Sequence, residues 1–205
     1  MFAASDDIAK TVTKAVPVVT LALTGVAVVF MLLPGAAPLL EYDRARVVSD
    51  GEWWRLLSGQ LVHWNARMAV LDLGVVVLLG LWAESTVPRV TRAVLLVGWA
   101  VIGAGIHVWA LGLQIYRGAS GLASALFVLV ALVIASKPGP WQVRMLALVA
   151  LVLLALKLSV EVWTGTAVFA GPLPEGVQVT PLAHLLGGGV ALGLFLTERV
   201  WKASQ

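Results

Sequence analysis

The sequence predicts an all-α membrane protein: six transmembrane helices, with an interfacial loop between the first two. Three observations predict it. Hydrophobic residues make up 60% of the chain and charged residues 12%, about half the roughly 25% charge of a soluble domain. Mean hydropathy is +0.95. The apolar residues fall into six stretches near the length that crosses a bilayer, about 20 residues, and most charges lie between them. Such a chain lacks the polar surface to cover a soluble domain, so the bilayer is its expected solvent.

The first span is expected over 15–33, ending at Pro34-Gly35. Gly35-Ala36-Ala37 resembles a signal-peptide cleavage site, but the apolar stretch exceeds an h-region of about 7–15 residues. Asp6 and Asp7 also lie upstream, so a retained helix is expected. The second span covers 68–83 and contains Asp72; the third covers 93–113 and carries His107. The fourth, 118–135, opens with Gly118-Ala119-Ser120-Gly121 and stops before Lys137-Pro138. The fifth covers 141–160, and the sixth covers 181–197, closed by Glu198-Arg199. Residues 1–205 read as a single membrane domain without an internal repeat.

A net charge of +3 and a pI near 9.6 could suggest nucleic acid. The 14 basic residues are scattered without a stripe, and in a membrane protein they record topology instead. No nucleic-acid partner is expected. The absence of cysteine excludes disulfides and thiolate catalysis. His63, His107 and His184 share no i, i+4 spacing, so neither a metal nor another cofactor is expected.

With the N-terminus inside, the inner segments hold eight basic residues: Lys10, Lys14, Arg89, Arg92, Lys137, Arg144, Arg199 and Lys202. Four acids, Asp6, Asp7, Glu84 and Glu198, stand against them. The outer segments hold five basic residues and six acids, Glu161 and Glu175 among them. Both termini are therefore expected in the cytoplasm. Between the first two spans, Trp53, Trp54, Leu56, Leu57, Leu61, Val62 and Trp64 lie among charges. That pattern reads as an amphipathic structure in the outer leaflet.

Spans two, four and six then run in one direction, so their N-terminal ends share one depth. Asp72, Ser120 and His184 sit at or near those ends. Gly-Ala-Ser-Gly at a helix start could be simple close packing. The same geometry suits a nucleophile, because a helix N-terminus offers unpaired N–H groups to a developing oxyanion. His184 could be a cross-helix hydrogen bonder. It could equally be the base a serine hydroxyl needs, with Gly187-Gly188-Gly189 letting the sixth helix approach the fourth. His107 reads as a structural hydrogen bonder, and Glu161 as the outer end of the fifth helix, paired with Lys157 at i, i+4.

Trp54-Arg55 before the second span, Gly118-Ala119-Ser120-Gly121 opening the fourth, and Ala183-His184-Leu185-Leu186-Gly187 opening the sixth together resemble the rhomboid family of intramembrane serine proteases. The resemblance covers nearly the whole chain. It implies a rhomboid-like bundle in a bacterial inner membrane, with the active site toward the periplasm and a membrane-anchored protein as substrate. It also implies Ser120 as nucleophile, His184 as general base, no carboxylate in the dyad, and a structural role for Trp54 and Arg55. Gly118, Ala119, Gly121, His63, Met68 and Asp72 become candidates for the oxyanion and substrate site. Gly51-Glu52-Trp53-Trp54-Arg55-Leu56-Leu57-Ser58-Gly59 and Lys157-Leu158-Ser159-Val160-Glu161 look more like the rhombosortase subfamily. That subfamily processes C-terminal Gly-Gly-type anchors. The family follows its loop histidine with a second histidine and an asparagine, where this chain has Met68 and Asp72. Methionine donates no hydrogen bond, and an ionised aspartate only accepts. A catalytically weak or inactive protein that binds transmembrane segments is therefore the alternative expectation, unless Asp72 works as a neutral acid and donates.

Overall fold

The computed structural model describes residues 15–168, 177 and 180–203. Asp6, Asp7, Lys10, Lys14 and Glu175, which enter the orientation argument, lie outside the described residues. Four described helices are long and apolar enough to cross a membrane. They are α5 (Ala66–Thr86), α6 (Pro88–Trp109), α8 (Trp141–Thr164) and α9 (Pro181–Ala203). Two shorter apolar helices, α1 (Val18–Leu32) and α7 (Ser120–Ser136), complete the bundle.

Helix ends differ from the apolar stretches for local reasons. Pro88 occupies the first position of α6, where its fixed φ suits helix initiation and its missing N–H costs nothing. The helix therefore starts five residues before the expected span. It stops at Trp109 because Arg44 turns the chain there: its guanidinium donates to the carbonyls of His107 (2.7 Å), Ala110 (3.0 Å) and Leu113 (3.1 Å). Helix α8 runs on to Thr164 and ends where Gly165 takes φ +66°, the usual left-handed stop. Gly118 and Ala119 precede α7 rather than opening it.

The connection between α1 and α5 is built rather than loose. It contains α2 (Ala36–Leu40), β1 (Tyr42–Asp43), α3 (Arg44–Ser49), α4 (Arg55–Ser58) and a 3-10 turn at Gly59–Leu61. The chain is thus not purely helical, since β1 pairs antiparallel with β2 (Ile115–Tyr116), Tyr42 opposite Tyr116. Arg55 explains the order. It is 1% exposed, bonds the carbonyls of Pro38 (3.1 Å) and Glu41 (2.9 Å), and pairs with Glu52. Trp53 and Trp54 remain exposed, as indoles at a headgroup surface would be.

A buried carboxylate joins α1 to the rest. The first N–H groups of α1 have no partner within the helix. Glu84, fully buried near the end of α5, takes those of Val19 (3.1 Å) and Thr20 (2.9 Å), and also the Thr20 hydroxyl (2.8 Å). Arg92 Nε supplies the countercharge at 2.9 Å.

Helix α7 lies at the centre, buried along most of its length. It meets α9 backbone to backbone. A Cβ on Gly187 would stand 2.1 Å from the Gly121 carbonyl oxygen, and one on Gly121 would stand 2.9 Å from that of Ala183. Small residues permit such an approach between membrane helices. Helix α8, by contrast, buries only Ala147 and Glu161.

Candidate active site

The site begins with a glycine. Gly118 has φ +133°, a conformation that L side chains rarely adopt. A Cβ there would also meet Met68 Cε at 2.6 Å and Asp72 Oδ2 at 3.3 Å. Both α5 side chains therefore rest on the backbone that leads into Ser120. The carbonyl of Gly118 is held by the Tyr116 hydroxyl at 2.9 Å. Burial pushes the Tyr116 phenol above its ordinary pKa and the Asp72 charge adds to this, while a hydrogen bond with Ser120 opposes it. Tyr116 accordingly stays protonated and remains a donor.

Ser120 is the first residue of α7. The helical ladder starts with Ala123 N–H, which donates to the Ala119 carbonyl at 2.9 Å. The N–H groups of Ser120, Gly121 and Leu122 precede that bond, so they face outward from the helix end. Ala119 N–H points instead at His63 Nε2, 3.4 Å away. The same nitrogen lies 3.5 Å from Asp72 Oδ2. An unprotonated Nε2 accepts from Ala119; a protonated one faces Asp72. Asp72 Oδ2 is buried and accepts no hydrogen bond among the described residues.

His184 lies one turn into α9. Its Nδ1 is 2.7 Å from the hydroxyl of Ser124 and its Nε2 is 3.8 Å from Glu161 Oε2. The resting imidazole is thus bonded to Ser124, the residue one turn beyond Ser120. Ser124 is a poor nucleophile candidate, since its position inside the helix leaves its neighbouring N–H groups within the ladder. Spacing could have revealed it: Ser120 and Ser124 are i, i+4 and share a helix face.

Ser120, Ser124, His184, Tyr116, Met68 and Asp72 line one cavity of about 710 Å³. Gly118, Ala119 and Gly121 form the backbone beside it, and His63 lies behind Asp72. Lys157 and Glu161 face it from α8, bonded to each other at 2.8 Å. Arg117 lines it too, paired with Glu41 at 2.7 Å and stacked 4.3 Å above the Trp64 ring. Arg55 and Trp54 lie outside this wall, Arg55 within the preceding connection. His107 bonds the Tyr42 hydroxyl at 3.1 Å, away from Ser120.

The described helices thus form an apolar bundle with a serine at the start of one helix and a histidine in the same cavity. Residues 50–200 match the Rhomboid domain. The chain belongs to the rhomboid family, whose members are multi-pass intramembrane serine proteases acting on membrane-embedded substrates. No curated protein matches the chain.

Proposed function

We propose that this chain is an active intramembrane serine endopeptidase in which Ser120 attacks and His184 serves as general base. One observation carries the reading: Ser120, at the free N-terminal end of α7, and the His184 imidazole line the same cavity. That cavity also reaches Leu71 of α5 and Leu153 and Leu156 of α8, which are exposed on the outside of the bundle. A substrate segment in the bilayer can enter between those helices.

The imidazole turns from Ser124 to Ser120 and takes its hydroxyl proton as Oγ bonds to the scissile carbonyl carbon. The carbonyl oxygen becomes an oxyanion facing the N–H groups at the start of α7. When the C–N bond breaks, His184 returns the proton to the leaving amine and an acyl ester remains on Ser120. Water then releases the new C-terminus.

The substrate class we assign is a membrane protein with a C-terminal Gly-Gly, a hydrophobic span and a basic cluster. Its support is the resemblance of 51–59 and 157–161 to the rhombosortase subfamily. The proposed setting is a bacterial inner membrane, with α1, α5, α6, α7, α8 and α9 as six spans and both termini in the cytoplasm. Reporter fusions should be active on the cytoplasmic side at the C-terminus and at Pro138-Gly139. A periplasmic C-terminus would remove the shared depth of Ser120 and His184.

A second reading, a weak or inactive rhomboid that holds transmembrane segments, is favoured by Met68 and Asp72 on Gly118 and by the Ser124–His184 bond. Labelling by a fluorophosphonate separates the two. The wild type should label and Ser120→Ala and His184→Ala should not, with membrane insertion unchanged. A wild type that does not label favours the second reading, and Ser120→Ala that labels equally ends the first.

A further inference from the structure

The polar groups around His184 come from three other helices. Ser120 and Ser124 lie on α7, Asp72 on α5, and Lys157 and Glu161 on α8. Tyr116 lines the same cavity. Glu161 is the least expected of these. Helix α8 turns most of its surface outward, yet the Glu161 side chain is only 3% exposed. Its Oε1 accepts from Val168 N–H at 3.0 Å, and its Oε2 accepts from Lys157 Nζ at 2.8 Å. Anchoring the end of α8 needs only those two bonds. The carboxylate does more, because Oε2 also stands 3.8 Å from His184 Nε2.

At 3.8 Å the contact is electrostatic rather than a hydrogen bond. An anion beside Nε2 favours the tautomer that carries its proton there, since the ring nitrogen facing the acceptor keeps the hydrogen. Nδ1 is then the unprotonated nitrogen. In that tautomer it accepts from the Ser124 hydroxyl, 2.7 Å away, and Ser120 presents its hydroxyl one turn away on the same helix face.

We propose that Glu161 is the positioning residue of the base: it holds the His184 proton on Nε2, leaves Nδ1 to take the Ser120 proton, and stabilises the resulting imidazolium. The inference rests on the serine-protease reading above. It adds a carboxylate to a dyad expected to have none, and it takes that carboxylate from the outermost wall of the cavity. Lys157, bonded to the same carboxylate oxygen, works directly against the imidazolium.

The two α8 charges therefore make opposite predictions. The test measures the rate of fluorophosphonate labelling at Ser120 against pH, on the full chain in phosphatidylcholine liposomes, with Ser120→Ala as the blank. Glu161→Gln keeps hydrogen-bonding capacity toward Val168 and removes the charge. Its maximal labelling rate should fall by about tenfold, the equivalent of one unit of lost imidazolium preference, and its acid limb should move to lower pH. Glu161→Asp should recover most of the rate, and Lys157→Met should move the acid limb to higher pH. Reagent affinity should change little in all three. The proposal is overturned if Glu161→Gln matches the wild type. It is equally overturned if all three variants lose labelling in parallel with a lower Tm, which is the pattern of a purely structural pair. Labelling that survives in Ser120→Ala would instead remove the serine-protease reading itself.

Discussion

The two helices that flank α7 are held to it by different means. Helix α9 touches its backbone, with the Gly121 carbonyl filling the space a side chain on Gly187 would need. Helix α8 lies outside, with Trp141, Leu146, Val152, Leu153 and Trp163 all exposed, and turns only Ala147 and Glu161 fully inward. The proposed chemistry would use this asymmetry. A nucleophile and its base need to stay within a fraction of an ångström of a productive arrangement, which two helices in backbone contact would provide. A substrate segment entering from the side would need a cavity wall that is packed less closely. Motions of packed helices against each other are slow and costly, whereas a loosely packed element opens at low free energy.

The largest effect expected from breaking this contrast is at the seam. Gly187→Val drives a side chain into the Gly121 carbonyl, which is backbone and cannot yield as a flexible side chain would. Overpacking of this kind typically costs about 1–3 kcal/mol, and it should push His184 away from Ser120. Fluorophosphonate labelling should drop by at least about 100-fold, the scale of a misplacement of about 1 Å, with a clear fall in Tm. Retained labelling would mean that the seam does not set the geometry.

A loss of stability with little effect on labelling is expected where α1 joins α5. Glu84→Ala strands two helix-end N–H groups, the Thr20 hydroxyl and Arg92. A buried helix-end N–H left without its acceptor costs about 1–3 kcal/mol, while Arg92, 41% exposed, is left to solvent. A thermal-shift measurement should show the largest Tm loss among variants outside the cavity, while labelling below the transition stays near wild type.

Asp72 offers a finer probe. Asparagine donates a hydrogen bond at any pH, and a protonated aspartate is a known oxyanion donor in one isomerase. If Asp72 donates to the oxyanion, Asp72→Asn should preserve or raise the labelling rate by a few-fold, and adding Met68→His should raise it further. A tenfold loss in Asp72→Asn, in correctly inserted protein, would assign Asp72 an acceptor role toward His63 instead. The smallest effects belong to positions with nothing to disturb. Gly189 has open space where a Cβ would go, and Leu146 is exposed on α8. Gly189→Ala and Leu146→Ala should both stay within about 0.5 kcal/mol of wild type. A large loss at Leu146 would show that α8 packs more firmly than its exposure indicates.

Helix ends were less legible than helix existence. The apolar stretch at 93–113 contains no sign that Arg44, nearly 70 positions from Leu113, closes the helix by taking its last carbonyls. Likewise the span at 68–83 gives no reason to extend to Thr86, until Glu84 is found capping another helix. In the connection between the first two spans, tryptophans set among charges indicate a surface structure. The pairing of Tyr42 with Tyr116 depends on a contact between residues more than a third of the chain apart.

The sequence by itself determined the solvent of this protein and the depth of its polar residues. Composition is a property of the chain alone, and helices of fixed rise carry Ser120 and His184 to the same end of the bundle whatever their neighbours. Only the tertiary structure decided which groups meet. The two nitrogens of His184 face Ser124 and Glu161, and neither partner follows from spacing along α9. Those contacts depend on how closely α9 approaches α7 and how α8 is rotated about its own axis. The first is set by atoms far apart in sequence, the missing Cβ of Gly187 against the Gly121 carbonyl; the second appears in the 3.8 Å approach of Glu161 on α8 to His184 on α9.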